Sequence, residues 1–124
     1  MKTCVRKIPL SPTITLQIFD TTRRYYEDYH LVRIEIECEV PLLEEYFNGP
    51  EQLAAARRIL SDCAVYRRTI EKMGVPYAEI EPAREQLIES FVATALPYLA
   101  DEKFPPKFIA SELLKTEKRN RGFA

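Results

Sequence analysis

The sequence predicts an α+β fold: a small antiparallel sheet with two or three helices packed on its apolar face. Three observations lead there. Two stretches before residue 42 alternate with period two, apolar residues after residue 49 recur mainly at helical spacing, and strands precede most of the helices.

The first strand is read in PTITLQIFD. Ile14, Leu16 and Ile18 point one way, and Thr13, Thr15 and Gln17 the other. The second, HLVRIEIECEVP, alternates more clearly. Val32, Ile34, Ile36, Cys38 and Val40 share one face, while Arg33, Glu35, Glu37 and Glu39 share the other. Alternation of this kind with β-branched residues describes half-buried antiparallel strands. Pro12 and Pro41 bracket the pair.

Between them lies TTRRYYEDYH, residues 21–30, which holds three of the seven tyrosines and the single histidine. It reads as the link between the two strands. Asp20, Thr21 and Thr22 have the composition of a turn opening.

A helix starts at NGPEQLAAARRIL, where Pro50 suits the first helical position and Glu51 suits the positive end of the helix dipole. Ile59, Cys63, Tyr66, Ile70 and Met73 would allow it to run on to Gly74. Against that, Ser61-Asp62 is a breaker pair, and CAVYRRTIE is rich in β-formers. A two-stranded sheet is marginal in water. A neighbouring strand offering Arg67 would also relieve the self-repelling row Glu35, Glu37 and Glu39. The reading is therefore a helix over about 51–60 and a third strand over about 63–73.

The next helix, IEPAREQLIESFVATALPYLA, carries a stripe of Leu87, Phe91, Ala95 and Tyr98, with Ile88, Val92 and Leu99 beside it. Pro97 should kink or end it near residues 93–96. DEKFPP is read as a linker. KFIASELLKTEKR is read as a shorter helix with Phe108, Ile109 and Leu113 inward. At 124 residues the chain is read as one domain, 1–124, with flexible ends at about 1–11 and 118–124.

Composition narrows the function. The net charge is −1, which provides no global field for a polyanion. Three glycines nearly exclude a Gly-rich phosphate loop. Three scattered cysteines are no disulfide framework and fit a reducing compartment, so a cytoplasmic location is expected. MKTCVRKIPLSP has no apolar core of a secretory signal, and no apolar run is long enough to span a membrane.

The candidate site is the stretch Arg23, Arg24, Tyr25, Tyr26, Tyr29 and His30. Tyrosine and arginine are the residue types that anchor protein interfaces. Glu27 and Asp28, with Asp20 just before the stretch, outnumber the two arginines, which is wrong for a groove that tracks a nucleic-acid backbone. His30 has no ligand partners at a usual metal spacing. As a general base it would need a nucleophile; Asp28 could share its strand face, but no nucleophile motif is present. Three arginine pairs, 23–24, 57–58 and 67–68, could feed an anion site, although adjacent residues diverge.

The sequence thus predicts a non-enzymatic module working through a protein partner or self-association, including as a homodimer. No catalytic residue, metal ligand or cofactor is assigned. Nucleic-acid and membrane partners are not expected, and a small-molecule ligand is left open. The alternative is an anion- or nucleotide-binding module using clustered arginines, and the remaining reading is an enzyme using His30 with a nearby carboxylate.

Overall fold

In a computed structural model of the chain, residues 3–122 are described, with 118 and 120–122 described by backbone alone. The class is α+β: five antiparallel strands in one sheet, and three helices. The strands are β1 (Thr3–Ser11), β2 (Ile14–Asp20), β3 (Arg23–Tyr26), β4 (Tyr29–Pro41) and β5 (Cys63–Pro76). The helices are α1 (Pro50–Leu60), α2 (Ile80–Leu99) and α3 (Phe104–Gly122).

β4 is the spine. One side pairs with β5 from Tyr29↔Pro76 to Pro41↔Cys63. The other pairs with β2 over Leu16–Asp20 and, beyond a break at Thr21-Thr22, with β3. β2 and β3 therefore form one interrupted arm. Thr21 N–H still donates to the Arg33 carbonyl at 2.9 Å, so the ladder continues through the break. β1 and β5 form outer edges of the sheet, and β3, which pairs only with β4, is an edge as well.

The alternation read from the sequence decides the two faces. Ile34 and Ile36 are fully buried with Leu16, Ile18 and Val40. They pack against Leu53 of α1, Ile88 and Leu99 of α2, and Phe104 and Ile109 of α3. All three helices thus cover the same face. The other carries Arg33, Glu35, Glu37 and Glu39. Arg67 lies 3.7 Å from Glu37 across the β4–β5 pair, as the charge argument for a third strand required. Antiparallel sheets tolerate one wet face in this way.

Several expectations change. Residues 3–11 were read as part of a flexible end, but they form β1, paired with β2 from Thr3↔Asp20 to Ser11↔Ile14. Ile8 and Leu10 supply the apolar side that packs on the core. The stretch 21–30 is more than a link: it contains β3 and a two-residue turn at Glu27-Asp28. The third strand extends three residues beyond 73, to Pro76. Gly74 at φ 71° accommodates an irregularity there, a position glycine takes without steric cost. Pro97 does not end α2, which continues to Leu99. Only the last turn lies beyond it, so little of the hydrogen-bond ladder is lost. Residues 104–106 open α3, because the first turn of a helix needs no amide donors from proline. Residues 118–122 continue that helix, while 1, 2, 123 and 124 of the expected flexible ends lie outside the described residues. Among the described residues no helix is long and apolar enough to cross a membrane.

Candidate functional site

The end of the sheet where β3, β4 and β5 meet is built from three cross-strand rows. Arg23 pairs with Leu31, Arg24 with His30, and Tyr26 with Tyr29. On the far side of β4, His30 pairs with Val75 and Tyr29 with Pro76. Tyr25 is the extra residue between Arg24 and Tyr26, where the register shifts. With neighbouring strands about 4.8 Å apart, these rows bring Tyr25, Tyr26, Tyr29, Met73 and Tyr77 to one end of the molecule.

All five side chains are exposed, Tyr26 at 61% and Tyr77 at 73%. Nine large apolar or aromatic side chains stand exposed among the described residues, so more than half of them gather at this end. Arg23 and Arg24 are exposed beside them. Of the six predicted residues, five are therefore surface groups on one hairpin, and His30 is half-buried at its base.

His30 is held rather than free. Its Nδ1 lies 3.1 Å from the Asp28 carbonyl oxygen and 3.2 Å from the Val75 carbonyl oxygen. Two acceptors at one ring nitrogen require that nitrogen to carry the proton, so the ring donates from Nδ1. Its centroid is 6.1 Å from that of Tyr77. The histidine thus ties the hairpin turn to the end of β5. Its Asp28 contact is the backbone carbonyl, not the carboxylate that a charge-paired base would use.

The hairpin is anchored from both sides. At the arm's break, Asp20 Oδ1 accepts from the Thr22 amide at 2.9 Å, and Oδ2 accepts from Arg84 Nη1 of α2 at 3.1 Å. Burial alone would raise this carboxyl. The hydrogen bonds from Thr22 and Arg84, with the Arg84 charge, outweigh it and hold Asp20 below its ordinary range. Below the hairpin, Val32, Val75 and Ala83 form a small cluster, joined to the main core through Leu87, which packs on both. At the tip, Glu27 sits at φ 45°, a left-handed position that asparagine or glycine fills more easily.

The other candidates disperse. Arg57 and Arg58 are exposed in the last turn of α1. Arg67 is on the wet face, and Arg68 points the other way into a cleft lined by no arginine of the other two pairs. Among the described residues, no group of three or more His, Cys, Asp and Glu could hold a metal ion. Cys38 is buried, and burial pushes its thiol up to about 11. Burial also raises Cys63, with Glu39 and Asp62 adding to the effect. Cys4 is exposed.

Sequence reasoning missed Met73 and Tyr77 as members of this surface. Neither is near Tyr26 in the chain, and only the β4–β5 register brings them together. No protein-family model matches the chain, and neither a curated protein nor a solved structure matches it.

Proposed function

We propose that the chain is a small non-enzymatic module that works by protein–protein association through the tyrosine-rich end of its sheet. Self-association into a homodimer is the simplest form of this reading. The observation that carries it is the gathering of Tyr25, Tyr26, Tyr29, Met73 and Tyr77, all exposed, around one hairpin. Scattered exposed apolar residues need no explanation, whereas a cluster of them marks an interaction site. Tyrosine supplies wide contact area at low entropy cost, and methionine adapts to an irregular partner surface. Arg23, Arg24 and Lys72 stand alongside Glu27, Asp28 and Glu71 in the neighbouring positions. That mixed charge favours a protein over a polyanion. Unbonded Cys4, Cys38 and Cys63 support a reducing, cytoplasmic setting.

The test is sedimentation velocity over a wide concentration series, comparing wild type with the double variant Tyr25→Ser, Tyr26→Ser. The expected result is association that weakens in the variant while denaturant melts move by less than about 1 kcal/mol. A loss of several kcal/mol would make the tyrosines scaffold. A wild type that stays monomeric removes self-association, and a partner retained equally well by the variant removes this surface.

A further inference from the structure

Arg68 occupies an unexpected position. It faces the helix layer from edge strand β5, opposite Ile36 and between Tyr66 and Ile70, which belong to or pack on the core. Alternation along the strand forces this: Arg67 takes the wet face beside Glu37, so Arg68 must turn under the sheet edge. Arg68 is nevertheless exposed at the sheet edge, where its guanidinium has room to meet a partner. It finds one in Tyr66, whose hydroxyl accepts from Arg68 Nε at 3.3 Å and whose ring lies 5.5 Å from the guanidinium carbon.

The guanidinium opens on a cleft of about 410 Å³ between β5, the end of α2 and α3. Lys107, Ser111 and Lys115 line it from α3 at four-residue spacing, which puts them along one face of the helix. With Arg67, which also lines the cleft and is 3.7 Å from Glu37, four cations meet one lining carboxylate, Glu112, which is 3.4 Å from Lys115. Arg68 and Lys107 have no carboxylate within ion-pairing distance among the described residues. This local excess contrasts with the chain's net charge of −1. Beside the cations the walls are aromatic. Tyr98 is exposed and stands edge-on to Phe104, with centroids 5.3 Å apart.

We infer that this cleft binds a small ring-bearing organic phosphate of the nucleoside monophosphate class. Arg68 and Lys107 receive the phosphate, Ser111 offers a hydroxyl, and the base lies against Tyr98. The volume falls within the range of small-molecule sites, and a planar guanidinium suits phosphate oxygens. The site is distinct from the tyrosine-rich end and does not depend on that reading.

The experiment is an NMR titration of the full chain at low salt, with AMP, ribose and inorganic phosphate as separate probes. AMP is expected to shift amides of residues 65–68 and 107–115, phosphate to do so more weakly, and ribose not at all. Arg68→Gln should weaken AMP binding by about tenfold or more, and Lys107→Gln by several-fold. Arg57→Gln, on α1, should leave it unchanged. If Arg68→Gln does not fold, Lys107→Gln on the exposed helix face carries the test. No shift with AMP at millimolar concentration overturns the inference, as does binding that both cleft variants leave intact. Equal affinity for AMP and phosphate would remove the ring from the proposal. An Arg68→Gln protein that aggregates yet binds AMP normally would make the arginine only a guard on the sheet edge.

Discussion

Replacing Asp20 by alanine tests how the hairpin is tied to the rest of the molecule. Its carboxylate accepts from the Thr22 amide at 2.9 Å and from Arg84 at 3.1 Å, with the side chains of Asp20 and Arg84 only 18% and 25% exposed. Hydrogen bonds to a charged group are each worth about 1.5–3 kcal/mol at this degree of burial. Part of the loss is recovered, because Glu85 lies 3.8 Å from Arg84 Nε and remains as a partner. The expected cost at pH 7 is therefore about 2 kcal/mol, or about 8 °C in Tm for a domain of this size. The pH dependence has a definite sign. The folded Asp20 carboxyl lies below its ordinary value of 3.8, so its contribution is fully present above that value. It is lost as pH falls through the lower, folded value. Urea melts of wild type and variant at pH 7, 5, 4 and 3 measure the gap directly. A constant gap from pH 7 to 5 that shrinks towards pH 3 is expected. A gap that persists undiminished at pH 3, or one below about 0.5 kcal/mol at pH 7, would refute the reasoning.

Ile34, fully buried, should not tolerate a charge: Ile34→Asp is expected to cost about 4 kcal/mol or more, whereas Glu35→Ala on the wet face should change the same melts by less than about 1 kcal/mol. Ser61, at φ 66° and ψ −141° after α1, holds a conformation suited to glycine. Ser61→Gly should therefore raise stability by about 1 kcal/mol in thermal or chemical denaturation. Thiol labelling at pH 8 should modify Cys4 rapidly and Cys38 only on unfolding, since Cys38 is 1% exposed and its thiol is raised to about 11.

What could be read in advance depended on contrast along the chain. Around Ile34 and Ile36, glutamates alternate with β-branched residues, and the two faces of β4 were plain. β1 lacks that contrast. Arg6 lies on the same side as Ile8 and reaches Glu85 of α2 at 3.2 Å, while Pro9 breaks the β-forming pattern. β3 buries none of its residues, so no hydrophobic period marks it. Pro97, Pro105 and Pro106 were read by residue type, but their effect depends on where they fall in a helical turn. The candidate surface was legible through Tyr25, Tyr26 and Tyr29, which are local. Met73 and Tyr77 depended on a register joining residues more than forty positions apart, and Arg68 on which face of β5 it takes.

The division of the apolar interior has a consequence for motion. Val32, Val75 and Ala83 form a small cluster beside the one that holds Ile34, Ile36 and the three helices, and Leu87 packs on both. Elements held by few buried contacts open at a lower free energy than global unfolding. β3 is such an element: it buries none of its residues, pairs only with β4, and is fastened by the Asp20 and His30 hydrogen bonds at its two ends. β3 can therefore fray from β4 while the long pairing of β4 with β5 on the other side stays shut.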